Sequence, residues 1–195
     1  MWARFLSPVL KLRHIVGIGP MNQRESSEIF GSKSPNRALA DRPDVLVFES
    51  APLAEDLEVT GIVSADLWVS SSALDTDFTV KLVDVAPPNP DYPDGYAMNI
   101  VDSIMRVRYR NSWEREELLE PGKVYPIHIK IAPTSNLFKA GHRIRVDISS
   151  SNFPRLDVNP NTGEAIGKHT HTVVAENTLY CNSQYPSAIN LPVVK

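Results

Sequence analysis

Leu57-Glu58-Val59-Thr60-Gly61-Ile62-Val63-Ser64-Ala65-Asp66-Leu67-Trp68-Val69-Ser70 decides the fold class. Leu57, Val59, Val63, Ala65, Leu67 and Val69 fall on one side of an extended chain, and Glu58, Thr60, Ser64 and Asp66 on the other. That alternation has the period of a strand with one buried face. Gly61 interrupts it and predicts a bulge, a bend or a change of sheet, since a strand-interior glycine has no side chain to pack. Phe78 to Val85 repeats the strand signal, and the Asp94-Gly95 turn follows it. In Ala97 to Arg110 the apolar phase slips from Ile100 and Ile104 to Met105, Val107 and Tyr109, which requires a bulge. Tyr125, Ile127, Ile129 and Ile131 point inward from a further strand, and Pro126 marks that strand as a sheet edge. Ile144, Val146 and Ile148 belong to another, and the last two strands are expected over Thr172 to Tyr180 and Ile189 to Val194. Charged Trp113 to Leu119 is compatible with one helical turn. About eight short strands without a long helical period predict an all-β, jelly-roll β-sandwich.

The chain is 195 residues long, with 20 Lys+Arg, 23 Asp+Glu and a formal net charge of -3. That length suits one domain with its own core. The scattered cations do not form a phosphate-tracking surface, so no nucleic-acid partner is expected. The single Cys181 excludes an intrachain disulfide and a multi-thiolate metal site. Residues 1–14 lack an uninterrupted apolar run and a cleavage site, and no window approaches the ~20 apolar residues of a membrane span. The expectation is a cytoplasmic protein without membrane contact. Phe5, Val9 and Leu12 share a face at helical spacing, so the first residues read either as a short amphipathic helix or as disordered. Residues 1–43 are read as a mostly extended or irregular N-terminal arm, and 44–195 as the sandwich domain.

Few constellations carry chemistry. None of the nine glycines frames a Gly-x-Ser-x-Gly nucleophile elbow. His169 and His171, two apart on an expected strand, are candidate metal ligands with Glu164 or Glu176 as a third, although an exposed polar strand face explains them more simply. Asp75 and Asp77 are candidate oxygen ligands in a cation-binding or ligand-binding turn, against the plainer reading of carboxylates capping backbone amides. Trp68 and Trp113 are candidate sugar platforms or buried anchors, with Trp68 the stronger ligand-binding candidate. Cys181 reads as a partly buried, inert thiol, and His128 and His142 as structural histidines. No cofactor is expected.

Several phrases carry a resemblance. Asp44-Val45-Leu46-Val47-Phe48-Glu49-Ser50-Ala51-Pro52-Leu53, Ser70-Ser71-Ser72-Ala73-Leu74-Asp75-Thr76-Asp77-Phe78, Phe138-Lys139-Ala140-Gly141-His142-Arg143, Ser150-Ser151-Asn152-Phe153-Pro154-Arg155 and Asn159-Pro160-Asn161-Thr162-Gly163 occur in order. The series resembles the C-terminal jelly-roll domain of Xaa-Pro dipeptidyl-peptidases, cocaine-esterase-like enzymes and α-amino-acid ester hydrolases, a galactose-binding-like fold. The resemblance implies acyl transfer to water by a Ser-Asp-His triad on a preceding α/β-hydrolase domain. Neither elbow nor triad is present in this sequence, so no catalytic residue is assigned and the chain alone is expected to be inactive. The implied role is packing, oligomerisation or shaping of a substrate pocket, with a second copy or an α/β-hydrolase domain on another chain as partner. The alternative is a carbohydrate- or small-ligand-binding jelly-roll module.

Overall fold

Strand formation follows the alternation. In the computed structural model, which describes residues 2–6, 22–24, 37–153 and 155–194, Val59, Val63, Ala65, Leu67 and Val69 are all buried. They belong to β3 (Leu57–Ser71), whose odd positions face a second sheet. The other described strands are β1 (Trp2–Leu6), β2 (Leu46–Glu49), β4 (Asp77–Ala86), β5 (Tyr96–Arg106), β6 (Tyr125–Phe138), β7 (Arg143–Ser149), β8 (Glu176–Tyr180) and β9 (Ala188–Asn190).

Two antiparallel sheets result. The first has the order β1-β8-β3-β6, with β9 also pairing β3, and the second has the order β2-β7-β4-β5. Consecutive strands lie in different sheets except for the β4–β5 hairpin in the second sheet and the pair β8 and β9 in the first. This is the all-β sandwich the alternation predicts. Its core lies between the sheets, where Phe78, Val80 and Leu82 of β4 meet Leu67, Ile129 and Phe138. Each such side chain contributes about 1.5–3 kcal/mol by leaving water.

Local expectations resolve in several ways. A bulge is present in β5, but not at the predicted slip: Leu82 pairs with Val101 and Val83 with Asn99, so Ile100 is the extra residue, while Ile104 and Met105 pair in unbroken register with Thr79 and Phe78. The downstream end is not strand, because Val107–Tyr109 form a 3-10 turn. Pro126 does sit on an edge strand, since among the described residues β6 pairs only β3. Gly61 is neither a bulge nor a crossing point. β3 stays paired with β6 from Leu57 to Val69, and the register shift lies opposite, at Ile131. Gly61 instead accommodates the C-terminal segment: at φ +139°, a Cβ there would stand 3.0 Å from Pro192 Cβ and Cγ.

Residues 113–119 contain no helical turn. The first residues are not helical over their described part either. Trp2–Leu6 pairs antiparallel with β8, from Trp2 opposite Tyr180 to Leu6 opposite Glu176, while Val9 and Leu12 lie outside the described residues. Backbone pairing to an exposed strand edge outcompeted a short isolated helix, which is marginal in water. Elsewhere in the arm, Asn22 bridges Met98 and Gln23 N donates to Ala97 O at 2.7 Å, so this stretch lies along β5.

Candidate functional site

The connection between β3 and β4 is built around a buried charge. Arg108 is 1% exposed and Asp75 fully buried. The Arg108 Nε donates to Asp75 Oδ2 at 2.7 Å, and the Arg108 backbone N donates to Asp75 Oδ1 at 3.1 Å. Asn159 Nδ2 bridges Asp75 Oδ2 at 2.8 Å and Asp77 Oδ1 at 2.7 Å. Arg106 grips Asp77 through Nε and Nη2, both at 3.0 Å. This bidentate bond is the first cause of the upward shift of the Arg106 pKa. Buried charges persist only when paired and hydrogen-bonded, and here each carboxylate accepts from a guanidinium and an amide.

The same node anchors two further loops. Arg108 Nη1 donates to Glu116 Oε2 and to the Glu164 carbonyl, both at 3.0 Å. Tyr109 donates its hydroxyl to Glu116 Oε1 at 2.7 Å, which is the largest cause holding the Glu116 carboxyl below its ordinary pKa. Thr170 donates its backbone N–H and hydroxyl to the Glu164 carboxylate, lowering that group likewise. Asn161 Nδ2 donates to Val173 O at 2.7 Å. One buried guanidinium thus fixes residues 72–77, 106–119 and 157–173 at one end of the sandwich.

That end carries exposed apolar side chains. Leu74, Trp113, Leu118, Ile166, Val173 and Val174 are all exposed, Trp113 at 76%. Leu119 N donates to Leu74 O at 2.8 Å, and a Cβ on Gly163 would stand 3.1 Å from both Leu74 Cβ and Leu118 Cδ1, so these three loops touch. Trp113 stacks on Tyr109 with centroids 6.4 Å apart and planes 22° apart. The arrangement is an apolar surface on a rigid polar base, with hydrophobic groups that no residue in the described chain covers.

The structure distributes the predicted site residues unevenly. Asp75 and Asp77 do converge, but on arginine and asparagine donors that occupy their oxygens. Trp68 lies elsewhere, on the outer side of β3, packed at 5.3 Å and 45° against Tyr185, which in turn meets Tyr180 edge-on. His169 and His171 are not on a strand: residues 161–175 are irregular, because their polar groups bond to the Asn159–Arg108 node rather than to a neighbouring strand. His171 Nδ1 is 3.7 Å from Glu164 Oε2, and among the described residues no group of three His, Cys, Asp or Glu side chains is arranged to hold a metal ion. Trp113 is an exposed ring rather than a buried anchor. Cys181 is half-buried and its thiol is pushed up by burial, while His128 and His142 pair with Asp66 and Asp84. Arg106, Arg108 and Asn159 escaped the sequence reading. Their available signal was the two arginines flanking apolar Val107 at the end of a strand.

Comparison with known proteins bears on this site. The pattern of the family described as "X-Pro dipeptidyl-peptidase C-terminal non-catalytic domain" matches residues 14–190. The chain belongs to that family. This non-catalytic domain is 46% identical over 161 residues to the cocaine esterase of Rhodococcus sp. (strain MB1 Bresler), covering 82% of the chain and 27% of the esterase. In fold it is similar to an aminopeptidase from a marine sediment Thaumarchaeota archaeon, with TM-score 0.83, 30% identity, and coverage of 100% of this chain and 33% of that one. An α-amino-acid ester hydrolase superposes with TM-score 0.81 and 28% identity, over 99% of this chain and 32% of its own. The chain therefore spans about a quarter to a third of the length of these relatives.

Proposed function

We propose that this non-catalytic domain docks, through the apolar loop end built on Arg108, against an α/β-hydrolase domain carrying a Ser-Asp-His triad, and that it helps wall the substrate pocket there. The reaction served is transfer of an acyl group from an ester or amide to water, the chemistry shared by the names of the three relatives. The carrying observation is the exposed group of Leu74, Trp113, Leu118, Ile166, Val173 and Val174. Contiguous apolar surface on a soluble domain marks an interaction site, and loops held on a rigid scaffold are where such sites are placed. Fold alone does not confer the activity, and without a nucleophile elbow the domain is silent by itself.

The test is a chimera in which this chain replaces the aligned 161-residue segment of the cocaine esterase, assayed with p-nitrophenyl esters beside the isolated chain. The expected result is an active chimera and an inactive isolated chain. Trp113→Ser should leave the isolated chain's melting temperature unchanged and lower the chimera's activity. An isolated chain that hydrolyses esters, or a chimera indifferent to Trp113, contradicts the proposal.

A further inference from the structure

A piece of the N-terminal arm lies across the outer face of the second sheet, and hydrogen bonds hold it there. β5 is the edge of that sheet. Its Ala97 donates N–H to Asn22 Oδ1 at 3.2 Å and accepts from Gln23 N at 2.7 Å. Lys81 Nζ of β4 donates to Gln23 Oε1 at 3.1 Å, and Arg24 meets Asp94 at 3.5 Å. A second arm segment rests on the first: Leu39 N donates to Gln23 O at 2.9 Å, and Arg24 bridges Ala38.

Little apolar surface adds to these bonds. The core cluster begins at Leu46 and includes neither Leu39 nor Val45. Leu39, Arg42 and Val45 stand on one side of a cleft of about 150 Å³, with Lys81, Ser151 and Phe153 on the other. A gap of that size lined by charged groups admits several waters in place of close packing. Lifting the arm segment strands no charge either. Lys81 stands between Asp102 of β5 and Asp147 of β7, and both carboxylates stabilise its ammonium without help from the arm. Arg42 and Asp44 bond to each other at 2.8 and 2.7 Å and travel together. What keeps the segment down is therefore a few hydrogen bonds, each favouring the closed position by only about fivefold. The sheets beneath close on an apolar core, whose opening is far less favourable.

We infer that residues 22–24 and 37–45 form a strap that lifts off β4 and β5 while both sheets stay folded, switching the edge of β5 between a capped and an open state. Closed, the strap satisfies the Ala97 N–H and C=O. Lifted, it leaves both groups free to pair with another extended segment, as an uncovered edge strand does. It also opens the Lys81 cleft to solvent. The strap shares no residue with the loop end built on Arg108, and its opening does not require a hydrolase domain.

The test is amide hydrogen exchange of the full 195-residue chain at fixed pH, in water and in low concentrations of guanidinium. The Gln23 and Leu39 amides, both bonded to backbone carbonyls, should be protected. Corrected for intrinsic rates, they should nonetheless exchange at least about a hundredfold faster than those of Thr79 to Leu82 in the centre of β4. Denaturant should accelerate the β4 amides steeply and barely change the two strap amides, since lifting the strap exposes little surface. Leu82→Ala, a change in the core, should accelerate the β4 amides about thirtyfold or more and leave Gln23 and Leu39 within about twofold of wild type. Asn22→Ala, which removes the acceptor of the Ala97 N–H, should accelerate Gln23 and Leu39 about fivefold. The denaturant dependence is read on the unaltered chain, so a Leu82→Ala protein that fails to fold does not shield the inference. Strap amides without protection, strap amides that follow the denaturant dependence of β4, or parallel acceleration of both sets in folded Leu82→Ala would each overturn it.

Discussion

Arg108 Nε lies 2.7 Å from Asp75 Oδ2, with both side chains sealed from solvent, and from this contact three loops are suspended. Asp75 sits in the β3–β4 connection and Arg108 in the 3-10 turn after β5, so the pair ties the two sheets together at one end. Removing one partner strands a buried charge, which ordinarily costs about 3–5 kcal/mol. Asp75→Ala should therefore lower unfolding free energy by that amount in urea titrations, and Trp113 fluorescence should report loosening of its loop in the remaining folded fraction. A loss below about 0.5 kcal/mol, typical of an unengaged surface site, would show that Arg108 does not organise this end.

The loop that carries His169 and His171 depends on Glu164. Its carboxyl is held below the ordinary value of 4.5, first by the Thr170 hydroxyl, then by the Thr170 amide. A folded pKa below the unfolded one means that the unfolded chain binds more protons in between. The contribution is complete above the ordinary value and is lost as pH falls through the lowered one. Protection of the Thr170 amide against hydrogen exchange, corrected for intrinsic rate, should hold above pH 4.5 and decline below it. Glu164→Gln should show weakened protection already at neutral pH. Protection independent of pH in wild type would refute the assignment.

Gly61→Ala should destabilise the fold by about 1–3 kcal/mol, since alanine rarely adopts φ +139° and its methyl meets Pro192 at 3.0 Å. Thr60 N donates to Pro192 O at 2.9 Å and Val194 N to Glu58 O at 3.0 Å, so the damage should spread to the C-terminal segment. Limited proteolysis near Val193 should be faster in the variant. Unchanged melting and unchanged cleavage would mean that the segment is not held against β3.

Lys81→Met should be stabilising at neutral pH, because the half-buried ammonium has one hydrogen bond and methionine fills similar space. Burial lowers the folded pKa of Lys81 below its ordinary 10.5. Across the window between the lowered value and 10.5 the unfolded chain carries the extra proton, so wild-type stability gains on rising pH while the variant lacks that gain. The melting temperature of wild type should therefore rise relative to that of the variant as pH approaches 10.5. A difference that does not change with pH would place Lys81 in water.

How much of this was legible in the sequence differs by element. Alternation located β3 and β6 because each buries one side chain in two against the opposite sheet, and Pro126 marked its edge for lack of an N–H. The phase slip between Ile104 and Met105 announced a bulge in the wrong place, since the register there is unbroken and the extra residue is Ile100. Gly61 misled because the reason for a glycine there is Pro192, a close approach from 131 residues away in the chain. The same long range hid the site. Asp75 and Asp77 read as oxygen ligands because their arginine partners lie 33 and 29 residues on, respectively, and Asn159 more than 80. His169 and His171 read as strand because the bonds that hold them in a loop end on Asn161, Thr170 and Arg108, partners that no short-range period reveals.

If, as proposed, this non-catalytic domain contributes a surface and not a nucleophile to an acyl-transfer enzyme, the isolated chain is inert. The most direct measurement is p-nitrophenyl ester and Xaa-Pro anilide hydrolysis across the size-exclusion peak of the purified chain, with its mass determined on the same fractions. No hydrolysis is expected at any elution volume, whether the chain runs as a monomer or with its apolar end covered by a second copy. Hydrolysis that co-elutes with the chain, and is abolished by substituting one of its own residues, would contradict it.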